Sequence, residues 1–202
     1  ALQPGYIVDA GANDGSSSVL LAKMFPNHTV LAIEPLQPNV REIRKKANAK
    51  QLKNLQIKRG GLGDASRNGS YPTHLDNRKG SISLQISSKV QGNVRYPIFT
   101  IDALFSKQRL AFAHWDVEGS EPMVLDGALA TILRDRPLFT VETHEIHMKR
   151  EHASVMERVS RLNYTAHKVN EICGWWKDCR NYVCVPNEWM AINSLLRKHI
   201  SI

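Results

Sequence analysis

Carboxylates at the ends of short apolar runs carry most of the chemistry open to this chain. Asp9 closes the run YIVD and is followed by AGANDG, a Gly-rich turn over residues 10–15, and Glu34 closes a second run, TVLAIE. Gly11 and Gly15 allow a tight turn and a close backbone approach to a ligand, with Asn13 between them. Asp9 could accept hydrogen bonds from an ammonium group or an ordered water. Glu34 could accept from two ribose hydroxyls, as the acid at the second strand does in dinucleotide folds. Residues 16–25 read as a helix whose first amides face the same place. The pattern is one that binds an adenosine.

What the turn lacks narrows the ligand further. A pyrophosphate site wants GxGxxG, which this turn does not supply, and no GxxxxGK followed by Ser or Thr occurs in the chain. An acidic strand end followed by GxxxG suits a cofactor with an amino-acid tail, of which S-adenosylmethionine is the common one. Two more polar clusters follow, Asp116, Glu118 and Glu121 in WDVEGSE, and Glu142, His144 and Glu145 in VETHE. In a doubly wound sheet the ends of the strands that carry them meet at one crevice. With Asp9, Asn13 and Gly15, they put more acid and imidazole at one edge than a structural role requires.

The elements that would position these groups follow from periodicity. Apolar runs of strand length alternate with helical stretches, which predicts an α/β fold: a Rossmann-like, doubly wound, mostly parallel sheet closed by an antiparallel C-terminal strand pair. Strands are expected at residues 6–9, 30–33, 55–59, 94–100, 110–117 and 138–141. Helices are expected at 38–50, at 101–105, from Ser120 with Pro122 in its first turn, and at 152–162. Residues 165–171 and 182–185 read as the closing pair, and a short helical tail ends the chain. Between Ala65 and Gly92 the periodicity fails around one alternating stretch at 81–86, the signature of a long loop that could serve as a substrate-binding lid.

With 202 residues, 42% hydrophobic and 23% charged, the chain suits a single domain spanning residues 1–202. No apolar run nears the roughly 20 residues of a membrane span. The net charge of +8 permits an anionic partner. Its one compact cluster, at residues 41–53, lacks interleaved aromatics and reads as a solvated helix face, so a nucleic-acid partner is not favoured. The three cysteines, Cys173, Cys179 and Cys184, lack the spacing of a zinc site and read as reduced, partly buried thiols.

Six pieces in order resemble the FkbM family of S-adenosylmethionine-dependent methyltransferases. VDAGANDG at 8–15 is similar to the family's DxGANxG turn, AIEP at 32–35 to its E-P strand end, and GLGD at 61–64 to its A-L-G-D. FTID at 99–102, WDVEGSE at 115–121 and RPLFTVETH at 136–144 resemble T-L-D, I-D-V-E-G-x-E and R-P…E-x-H. The resemblance implies that Asp9, Gly11, Asn13, Gly15 and Glu34 bind the cofactor, together with Pro35, Leu62, Asp64 and Asp116. One departure bears on mechanism: the family usually has Lys before I-D-V-E-G, where this chain has His114. The segment at 173–184 lies outside the common core, and its two tryptophans could stack on a sugar or form a buried pair.

Family resemblance implies O-methylation of a hydroxyl, often on a sugar, with a deoxyhexose such as rhamnose a natural acceptor. Such a hydroxyl needs a base. His144 is the first candidate and Asp116 the second, with Glu142 orienting the imidazole. Glu142, Asp116 and Glu118 could instead hold a divalent ion that lowers the hydroxyl pKa, the less favoured arrangement. The alternatives are an RNA or protein N-methyltransferase, which the basic charge favours, and a binding domain without turnover. The abrupt start suggests a domain cut from a glycan-assembly protein, fused to glycosyltransferase domains as in large algal viruses. With no secretory signal in the sequence, a cytoplasmic location is expected, the host's if the source is viral.

Overall fold

The computed structural model of the chain describes residues 2–72, 93–169 and 179–199. Strand β1 (Tyr6–Ala10) is central, and its Ile7, Val8 and Ala10 are fully buried. It leads through the Gly-rich turn into α1 (Ser16–Met24), then β2 (Thr29–Glu34), α2 (Gln37–Ala49) and β3 (Leu55–Arg59). Val40, Ile43 and Ala47 of α2 face the sheet, while Arg41, Arg44 and Lys45 stand exposed on its other side. Sequence periodicity identified this amphipathic pattern because packing on one face is what stabilises such a helix.

The second half supplies β7 (Leu110–Trp115), α4 (Glu121–Asp126), α5 (Leu129–Asp135), β8 (Leu138–His144), α6 (Lys149–Arg161), β9 (Tyr164–Lys168), β10 (Cys179–Pro186) and α7 (Met190–His199). The main sheet has seven strands in the order β3-β2-β1-β7-β8-β10-β9. The first five run parallel, and β10 is antiparallel to both β8 and β9. This is the expected Rossmann-like α/β fold with its antiparallel closing pair. The connection from β1 goes to one side, to β2, and the chain later returns to the other side as β7. That reversal opens a crevice at the carboxyl ends of β1 and β7, the place where such sheets bind ligands.

Two apolar layers hold the sheet. Ile7, Val30 and Ala32 pack under α1 and α2 with Val19 and Ile43, while Val8, Trp115, Phe139 and Val141 pack with α4, α5 and α6 through Val124, Ile132 and Val155. Trp115 and Phe139 are in ring contact at 4.6 Å. Cys184 is a free, fully buried thiol in this second layer, and Cys173 and the Cys179 side chain lie outside the described residues.

Three local features differ from the sequence reading. First, β5 (Arg67–Pro72) occupies part of the expected loop; it pairs with β6 (Asn93–Phe99) and, with β4 (Gly61–Leu62), forms a second sheet. Its polar sequence, RNGSYP, acquires strand geometry from that partner. Tyr96 lies where a Cβ on Gly69 would stand 2.5 Å from its ring. The alternating stretch at 81–86 and the two tryptophans at 175 and 176 lie outside the described residues. Second, β8 continues past Val141 to His144, so Glu142 and His144 belong to the strand. Third, α6 starts at Lys149, placing His152 inside the helix. The short helix α3 (Ile101–Leu104) and the tail helix α7 are present as expected.

Two motif pieces prove to be structural. The Asp102 carboxylate accepts from the amides of Ala130 and Thr131, at 3.1 and 2.7 Å, and caps the start of α5. The Arg136 guanidinium donates to the Leu162 and Asn163 carbonyls and pairs with Glu188 at 2.7 Å, tying β8 to the C-terminal strands.

Candidate active site

The ends of β1 and β2 are joined through one carboxylate. Glu34 accepts from the amide of Asn13 through one oxygen and from the amide of Leu36 through the other, both at 2.9 Å. The Asn39 side-chain amide donates to Glu34 at 3.4 Å and to Oδ1 of the Asn13 side chain at 3.1 Å. Burial pushes the Glu34 carboxyl up to about 7 against these donors. Asp9 is buried and accepts from the Ser18 hydroxyl of α1. Its pKa is raised by burial, opposed by Ser18 and by His114.

Gly11 and Gly15 have φ of 77° and 80°, in the left-handed region. Their need for glycine has a cause within the chain itself, whatever ligand the turn approaches. A Cβ on Gly11 would stand 1.7 Å from the Asp116 carbonyl oxygen, and one on Gly15 would meet Ile43 of α2 at 2.7 Å. Chain-to-chain packing therefore excludes a side chain at both positions. Pro35 is buried beside Glu34, and Leu62 is buried in the core. Asp64 is exposed and paired with Arg67 at 2.7 Å.

Beyond β7 a cleft open to solvent brings the other two clusters together: Asp116, Glu118 and Glu121 meet Glu142 and His144, with Met148 and, from α6, Glu151, His152 and Val155 opposite. Glu118 and Gly119 have φ of 53° and 93°, which bends the chain sharply after β7 and turns these acids inward. Glu121 is fixed by accepting from the Val117 amide at 3.0 Å. Burial raises Glu118 and Glu121 to about 7. Asp116 is also raised, first by burial and then by Asp9, with His114, His144 and Glu142 opposing. Glu142 lies close enough to Asp116 to be one of the groups that oppose this rise. His144 Nε2 lies 3.9 Å from Glu142. Glu145, by contrast, turns to Lys168 and the Tyr182 hydroxyl.

His114 sits in register between Asp9 of β1 and Thr140 of β8, and its Nδ1 is 2.7 Å from the Thr140 hydroxyl. It thus places an imidazole between the acids of the first and second clusters. The pairing of Thr143 with His152, at 2.8 Å, was not legible in the sequence, because it joins a strand to a helix that returns over it. Among the described residues, no group of three or more His, Cys, Asp or Glu stands so as to hold a metal ion, and no helix is long and apolar enough to cross a membrane.

The arrangement resembles known folds. The crystal structure of a methyltransferase FkbM from Methylobacillus flagellatus superposes with a TM-score of 0.66 at 18% identity, over 89% of this chain and 43% of that one. This chain thus spans less than half of that protein's length. An rRNA methylase from Streptococcus thermophilus gives 0.56 at 12% identity, over 92% and 89%. Fibrillarin from Aeropyrum pernix, with natively bound S-adenosyl-L-methionine, gives 0.56 at 11%, over 91% and 67%. No curated protein sequence matches the chain. At these identities the structures establish a class I methyltransferase fold. Residues 9–168 match the methyltransferase FkbM domain, and with the order of strands and acids described above the chain belongs to that family.

Proposed function

We infer that the chain is a single S-adenosylmethionine-dependent methyltransferase domain that methylates a hydroxyl of a sugar or glycan. The observation that carries this reading is the acidic cleft beside the β1–β7 crevice, where Asp116, Glu118, Glu121, Glu142 and His144 converge. The β1 and β2 ends fit the cofactor. Glu34 is a buried acid short of compensating donors, with a pKa of about 7, and two ribose hydroxyls would supply them. Asp9 offers a buried carboxyl group toward a cationic amino-acid tail, whose charge would favour its ionised form. Asn13, fixed by Asn39, and Pro35 flank this site, with Leu62 and Asp64 on the β3 side. Bound there, S-adenosylmethionine supplies a methyl group on a positively charged sulfur.

The chain's own groups then serve the acceptor. A sugar ring presents several O–H donors, which carboxylates accept well and a phosphodiester cannot match, so the cleft disfavours RNA despite the net charge of +8. His144 takes the proton of the reacting hydroxyl, and Glu142, 3.9 Å away, steadies the imidazolium that results. Asp116, beside Glu142 in the cleft, is the second group able to accept that proton. Holding the oxygen in line contributes much of the acceleration. Glycosyltransferase domains that build such an acceptor are its natural neighbours in a longer chain.

Release of S-adenosylhomocysteine, measured with methyl glycosides, ribosomal RNA and a protein extract as acceptors, tests the reading. Release with a glycoside, retained after exhaustive chelation, is expected. Turnover on RNA or protein amines alone would replace the acceptor class.

A further inference from the structure

Two imidazoles line the cleft, and the mechanism above uses only one. His152 enters from α6, opposite the strand end that carries His144. Its Nδ1 is held 2.8 Å from the Thr143 hydroxyl, and its ring lies against Tyr182 at 5.6 Å between centroids. Thr143 is itself buried on β8. The ring is therefore fixed from two sides. Among the described residues its other nitrogen, Nε2, has no hydrogen-bond partner. An imidazole oriented through one nitrogen presents the other to a ligand with a defined direction.

Burial lowers the His152 pKa, with Lys168 acting in the same direction and Glu145 against it, so near neutral pH the ring is uncharged. A neutral imidazole has one donor and one acceptor, which suits a hydroxyl and not a cation or a phosphate. His144 already faces the reacting oxygen from the β8 side, flanked by Glu142. A group fixed on the opposite wall would meet a different part of the same acceptor.

We propose that His152, held by Thr143, binds a second hydroxyl of the acceptor, so that the cleft selects polyhydroxylated sugars over acceptors with a lone hydroxyl. This rests on the reading of the cleft as the sugar site. It makes His152 a specificity-determining residue, and its loss should fall mainly on KM.

The test uses labelled S-adenosylmethionine with methyl α-rhamnoside, other methyl hexosides and their monodeoxy analogues. The unaltered protein should show a KM for one deoxy analogue roughly 3- to 10-fold above that of its parent sugar, the size of one hydrogen bond. H152A should raise KM for the parent by the same factor and leave that analogue unaffected. T143V should give part of the same effect by freeing the ring, and H152N, which keeps a donor and an acceptor, should restore part of the discrimination. Melting curves and S-adenosylhomocysteine titration verify each variant, and T143V and H152N carry the test if H152A does not fold. A KM in H152A or T143V that rises equally for every sugar, or does not change, overturns the proposal and leaves the methyltransferase reading intact. No transfer by the unaltered protein to any sugar hydroxyl overturns both.

Discussion

Glu34 shows how one residue can be both structural and functional. Its two oxygens hold the first turn and the start of α2 in place, yet burial leaves it with a pKa of about 7. Glu34→Ala should weaken S-adenosylhomocysteine binding by about 1–3 kcal/mol, the worth of hydrogen bonds to a charged group. Isothermal titration of a folded mutant with unchanged affinity would remove Glu34 from the ribose site; Glu34→Gln, which keeps the shape, guards against a purely structural loss. His144→Ala should lower turnover about 10²–10⁴-fold with cofactor affinity nearly intact. An unimpaired rate would transfer the base to Asp116. The candidate acids were legible because each lies near or just beyond the end of a strand, and strand ends in this fold meet. The imidazole pairings, His114 with Thr140 and His152 with Thr143, were not, because each partner arrives from a neighbouring element with no local spacing to announce it.

Elements set where these residues point, and two predictions belong to them. Gly11→Val should prevent folding rather than merely block the cofactor, since the new Cβ would collide with the Asp116 carbonyl and push β1 from β7. A Gly11→Val protein with a normal melting curve that fails to bind S-adenosylhomocysteine would instead favour ligand space as the reason for the glycine. Asp102→Ala should cost about 1 kcal/mol by uncapping α5, read as a lower midpoint in urea, with methyl transfer retained. The β-α alternation exposed the main sheet to sequence reading, because buried parallel strands are continuous apolar runs. The strand β5 escaped it: RNGSYP becomes a strand only when paired with β6, which follows some twenty residues later. The same limit hid the extension of β8, where Glu142, Thr143 and His144 are polar because they line a cleft.

At the scale of the whole molecule, burial of many acids has a consequence for stability. Glu34, Glu118 and Glu121 are raised to about 7, and Asp9 and Asp116 are raised as well. Between the unfolded carboxylate range and about pH 7 the folded chain therefore binds more protons than the unfolded one, so stability should rise as pH falls from about 7.5 to about 5. His152, with its lowered pKa, opposes this below its ordinary value. The paired carboxylates Asp14, Asp64, Asp135, Glu145 and Glu188 are lowered and lose stabilisation only in stronger acid. Thermal melting of the ligand-free protein across this range should show the rise, and a steady fall on acidification would contradict the burial of the site acids. The proposed reaction is methyl transfer to a sugar oxygen. Its most direct test is NMR of the product formed from S-adenosylmethionine carrying a ¹³C-methyl group, with methyl hexosides, RNA and protein offered together. A new O-methyl resonance coupled to a sugar ring proton is expected; label found only on nitrogen, or on RNA, would overturn the assignment of the acceptor.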